Sequence, residues 1–156
     1  MGELDKAVGE SLSNRYAALA GRVRELAAPL SEDEFWRKPF SFGNSFGHLV
    51  LHLTGNLNYY IGAQIAGTGY VRNRVREFSE ASRPSKSEVM ANFDTAVRVV
   101  LEAIGAQSES DWTREYKADR EDAKSRFDIL MRCATHFHLH VGQMIYLSYG
   151  LKGAAS

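Results

Sequence analysis

The chain has 156 residues, of which 44% are hydrophobic and 24% charged, and its 19 basic residues balance 19 acidic ones. That is the length of one domain able to bury a proper core, so a single domain over 1–156 is expected. Zero net charge gives no electrostatic reason to expect nucleic acid or an anionic membrane as a partner, and it does little to oppose self-association.

Leu4, Val8, Leu12, Tyr16, Leu19, Val23 and Leu26 recur at three- and four-residue spacing, which predicts one long amphipathic helix ended by Pro29. Ser31 and Glu34 then form a capping box that opens a short helical turn, and Pro39 forces extended chain. A second helix is predicted over about 45 to 66, capped by Asn44 or Ser45 and stopped by Gly67-Thr68-Gly69. The arginine-rich stretch 68 to 84 has no clean period and reads as a crossing loop. Ser85 and Glu88 cap a third helix that runs to Gly105. Residues 106 to 122 are polar apart from Trp112 and Tyr116, and a fourth helix is expected from about 123 to 149, ending at Gly150. No segment alternates as a strand does. The fold class is all-α, a four-helix bundle with a long crossover connection.

Cys133 is the sole cysteine, so no intrachain disulfide forms. The stretch MGELDKAVGESLSNRY does not show a basic-then-apolar signal pattern, and no run reaches the roughly 18 apolar residues of a membrane span. The expectation is a soluble, cytoplasmic protein.

Three of the five histidines fall between 136 and 140. On a helix, His136 and His140 are about 40° apart and share a face, whereas His138 lies about 160° from each. The pair flanks the apolar stripe of Leu130, Ala134, Phe137, Val141, Met144 and Ile145, where a side chain can face a cleft between helices. On the second helix, His52 lies about 120° from the centre of the stripe and His48 about 160°, so His52 is better placed to face a neighbour. His52 with His136 and His140 would make a three-nitrogen metal site with open positions. The alternatives are a separate His48–His52 pair, or solvated histidines that cap apolar surface. Cys133 stands one turn before His136 on the same side and is read as a small buried side chain, the alternatives being a fourth ligand or a redox thiol. Gln143 is a candidate neighbour of His140. Tyr59, Tyr60, Tyr146 and Tyr149 are read as core or contact aromatics, the alternative being the lining of a pocket near the metal. Arg72, Arg74 and Arg76 are read as a solvated loop, the alternative being a hold on the carboxylate of a thiol cofactor or substrate.

The stretches NSFGHLVLHLTGNLNYYI (44 to 61) and THFHLHVGQMIYL (135 to 147) resemble the second and last helices of the DinB-like superfamily of bacterial four-helix-bundle proteins. SEDEFWRKPF (31 to 40) resembles that family's approach to the second helix. The resemblance covers most of the chain. It implies that His52, His136 and His140 are the ligands, with His48 at a variable position. It also implies an up-up-down-down-like bundle, a divalent transition metal (zinc, nickel or iron-like) and a homodimer. Some relatives resemble transferases that use a low-molecular-weight thiol. Val141 and Leu139 stand where relatives often carry arginine and histidine, which changes the neighbours of the site. Three functions follow as expectations: a metal-dependent thiol S-transferase, a metal-dependent hydrolase of the same fold, or a non-enzymatic dimeric bundle with a vestigial site.

Overall fold

The computed structural model describes residues 2–79, 81, 83–118 and 122–154. Residues 1, 80, 82, 119–121 and 155–156, which the expected domain and its two connecting stretches include, lie outside them. Helix α1 spans Glu3–Ala27, α2 Glu32–Trp36, α3 Phe46–Leu57, α4 Arg74–Glu77, α5 Lys86–Gly105, α6 Glu109–Trp112 and α7 Arg126–Ala154. Among the described residues there is no strand, only an isolated bridge between Glu115 and Ser125. No helix among them is long and apolar enough to cross a membrane.

The helix starts follow local chemistry. Ser31 and Glu34 form the predicted capping box of α2. Ser45 caps α3 by accepting from the His48 amide, and Ser85 caps α5 by accepting from the Glu88 amide. Past Leu57 the second helix widens into a π-helical stretch over Asn58–Ala63. Gly67 and Gly69 then turn the chain at φ values of +67° and +74°, which only glycine adopts without strain.

The side-chain bonds between helix ends fix the directions of the four long helices. Arg24 pairs with Asp94, and Lys86 donates to the Leu30 carbonyl, so α1 ends where α5 begins. Trp112 donates to Asp5, so the end of α5 leads back to the start of α1. Tyr116 donates to the Tyr60 carbonyl at the far end of the second helix, and Gly150 of α7 abuts Phe40, just before α3. In chain order the helices therefore run up, down, down, up. This corrects the expected up-up-down-down order, and it requires one long crossover, between the parallel helices α3 and α5. The core of Tyr16, Phe93, Leu53, Phe137 and Met144 fills the space between the four.

Three sequence expectations change. The crossing loop contains α4 and the second polar stretch contains α6, turns too short to show a period. Helix α7 passes straight through Gly150. A Cβ there would stand 2.6 Å from Phe40 Cζ, so the glycine makes room for an aromatic ring and does not end the helix. His48, expected far from the apolar stripe, is buried, because every residue of α3 is buried except Leu51, which is half-buried.

Candidate metal centre

Helices α3 and α7 run antiparallel and bring His52, His136 and His140 together. The ligand nitrogens of all three lie within 4.8 Å of one another. His52 Nε2 is 3.2 Å from His136 Nε2, and His140 Nε2 is 3.0 Å from the same atom. Nitrogens around a tetrahedral zinc are about 3.3 Å apart, so two edges of the triangle already have ligand spacing. His52 is buried, and the other two are half-buried at the edge of the helix pair.

The outward nitrogens decide which ring atom can bind. His52 Nδ1 lies 2.8 Å from Glu77 Oε2. Arg72 donates to both oxygens of the same carboxylate, from Nε at 2.7 Å and from Nη2 at 2.9 Å. Burial pushes the Glu77 carboxyl up, but the hydrogen bonds from His52 and Arg72 and the Arg72 charge outweigh it and hold the group below its ordinary value. An ionised carboxylate only accepts, so His52 carries its proton on Nδ1 and turns the Nε2 lone pair toward the other two rings. His140 Nδ1 donates to Gln143 Oε1 at 2.7 Å, which sets the same tautomer. Burial holds His140 below the usual imidazole range, with Gln143 opposing and His52 reinforcing the shift. Neutral imidazoles with inward lone pairs are the donor set that a borderline-soft divalent ion takes, so these residues fit such an ion.

Glycine makes the Glu77 contact possible. A Cβ on Gly55 would stand 2.1 Å from Glu77 Oε1, so the carboxylate lies in the space of a missing side chain. Asn73 caps α4 and directs Glu77 inward, while the Phe78 ring packs 4.8 Å from the His52 ring. His48 holds the next residue. Ser45 Oγ donates to its Nδ1 at 2.7 Å, and its Nε2 donates to the Ser79 carbonyl at 3.0 Å. His48 is thus an anchor for the crossing segment and stands apart from the grouped imidazoles.

His138 is exposed and lines a groove of about 690 Å³ between α1 and α7, away from the three rings. Cys133 is buried and outside the grouped ligand atoms. Tyr60 is buried beneath the Arg72 guanidinium, whose carbon lies 5.8 Å from the ring centroid, while Tyr146 and Tyr149 are exposed. A second groove, about 610 Å³ between Phe40, Phe42 and α7, reaches Gln143. Glu77 and Arg72 were the residues that sequence reasoning missed. Their signal was a single acid, Glu77, at the end of a stretch with three arginines and four residues after Asn73, an asparagine able to cap a turn.

A model of the family described as "Protein of unknown function (DUF1572)" matches residues 11–155. No curated protein matches. Among solved structures, the chain is similar to "Crystal structure of the conserved protein of locus from Enterococcus faecalis", with a TM-score of 0.76 at 15% identity over 92% of this chain and 96% of that one. At that identity the likeness speaks for the bundle alone.

Proposed function

The chain belongs to the DUF1572 family, and we propose that it is a DinB-like protein that binds one divalent transition ion through His52, His136 and His140. The observation that carries this is the convergence of three Nε2 atoms, two of them turned inward by Glu77 and Gln143. Three protein ligands leave a position open, as catalytic sites do and closed structural sites do not. An ion held there would supply Lewis acidity and ionise a small nucleophile near neutral pH. The chain's own part is to orient the rings, His52 through Glu77 and His140 through Gln143. The nucleophile we propose is a low-molecular-weight thiol, which makes the reaction a thiol S-transfer. Support for that step is the sequence resemblance, as is support for the homodimer. The single-domain organisation and cytoplasmic location rest on composition.

The test is the metal content of protein made without a histidine tag and without added metal, beside the His52→Ala variant. About one ion per chain in the wild type, lost in the variant, is the expected result. No metal, and no uptake of added zinc or nickel, overturns it. With a metal-loaded protein, turnover that requires a small thiol supports transfer, and hydrolysis without thiol replaces it with the hydrolase.

A further inference from the structure

We propose that Glu77 is a positioning residue of this centre, seated in the gap left by Gly55 and clamped by Arg72, so that the crossing segment and not the helix bundle alone sets the orientation of His52. The inference rests on the metal-binding reading for its affinity readout, though not for its structural one.

Three observations meet at this carboxylate. Glu77 is buried, with a relative exposure of 6%, on a four-residue helix whose other residues, Arg74, Val75 and Arg76, are exposed. Burying a carboxylate is unfavourable unless its oxygens are satisfied. Here Oε1 accepts from Arg72, and Oε2 accepts from both Arg72 and His52. The backbone of α3 has been kept bare at Gly55, where any side chain would collide with Oε1. A glycine in a helix interior is unfavourable by roughly 0.5–1 kcal/mol relative to alanine, so helix stability does not explain its use there.

The segment is also fastened on both sides of Glu77. Arg72 lies over the Tyr60 ring, and the Ser79 carbonyl accepts from His48. The Glu77 carboxylate therefore has one place to be, and His52 Nδ1–H has one acceptor to point at. Imidazole ligands held this way bind more tightly, because the ring is oriented and its basicity raised before the ion arrives. Losing the outer partner of a ligand weakens metal binding by about 10- to 100-fold.

The experiment uses the full chain and four proteins: wild type, Glu77→Ala, Glu77→Gln and Gly55→Ala. Zinc affinity is measured by chelator competition, and the His52 tautomer is read in metal-free protein from the nitrogen shifts of the imidazole. Glu77→Ala is expected to lose affinity by about 10- to 100-fold. Glu77→Gln keeps a carbonyl to accept from Nδ1–H and is expected to recover most of that loss. Gly55→Ala leaves every polar group in the sequence, fills the carboxylate's place, and is expected to behave like Glu77→Ala. In metal-free wild type His52 is expected as the Nδ1–H form, and in Glu77→Ala as a mixture. Equal zinc affinity in wild type and Glu77→Ala overturns the proposal. If the wild type takes up no zinc, the metal-binding reading fails and the tautomer decides alone: a shift in Glu77→Ala upholds the positioning of His52, and an unchanged tautomer overturns it. If Glu77→Ala does not fold, Gly55→Ala carries both comparisons: a mixed tautomer or an affinity loss of about 10- to 100-fold upholds the proposal, and an unchanged tautomer with unchanged affinity overturns it.

Discussion

His52 and Glu77 stand 25 residues apart in the chain and share a 2.8 Å hydrogen bond between Nδ1 and Oε2. Everything between them, from the π-helical end of the second helix to α4, forms the loop that this bond closes. The bond joins an element the sequence announces plainly to one that it hardly announces at all. It also gives the crossing segment a reason to fold back: an acid, an arginine and an imidazole satisfy one another in a place where none would be stable alone.

Acid should loosen that loop. The Glu77 carboxyl lies below its ordinary value in the folded chain, so between that lowered value and about pH 4.3 the unfolded chain binds more protons. Stability from this group is complete above the ordinary carboxylate value and is lost as pH falls through the folded one. Urea midpoints of metal-free protein should drop across that window, and Glu77→Gln, which cannot titrate, should show a shallower drop. Parallel curves for the two proteins would show that the Glu77 carboxyl has the same affinity for protons in both states.

The three histidines of α7 should separate cleanly. His136→Ala and His140→Ala each remove an atom of the converging group and are expected to abolish tight metal binding. His138→Ala alters an exposed ring in the α1–α7 groove and is expected to leave metal content unchanged. Elemental analysis of the three variants is the check. Loss of metal in His138→Ala together with retention in His136→Ala would place the ion elsewhere.

Much of this architecture was legible because helices announce themselves by period. The stripe from Leu130 to Met144 is buried as its spacing implies, and the i, i+4 rule alone paired His136 with His140 and set His138 apart. The ends of α1 and α5 lie near where Pro29 and Gly105 suggest. His48 was misplaced because a stripe assumes one wet face, and α3 is packed nearly all round. Gly150 was misread because a glycine that ends a helix and one that admits the Phe40 ring look alike in sequence. Glu77 stayed hidden because its partners, Gly55 and His52, are distant in the chain, and a four-residue helix has no period to detect.

Gly47 offers a test of the packing that aims α3. A Cβ there would come within 2.7 Å of the Trp36 ring and 2.8 Å of Phe35 Cε1, both buried and hemmed in. Gly47 stands in the first turn of α3, where alanine gains at most the roughly 0.8–1 kcal/mol it has over glycine in a helix interior, but overpacking costs about 1–3 kcal/mol, so the clash wins where the rings cannot move aside. Gly47→Ala is therefore expected to lower the chemical denaturation midpoint. A rise in that midpoint would mean that α2 shifts freely against α3.

The two outer partners of the imidazoles should not matter equally. Gln143 Oε1 holds His140 Nδ1 at 2.7 Å, one turn along the same helix, and its side chain is exposed. Water can replace an exposed amide as acceptor at little loss, and His140 is already placed by its own helix. Glu77 is buried, charged and backed by Arg72, so a water in its place would bring neither the charge nor the Arg72 clamp. Gln143→Ala is accordingly expected to weaken zinc binding by less than about tenfold, and Glu77→Ala by more. Chelator competition on the two variants side by side gives the ranking. If Gln143→Ala proves the more damaging, then His140 is the ligand whose orientation limits binding, and the groove between Phe40, Phe42 and α7 that reaches Gln143 becomes the surface through which the centre is adjusted.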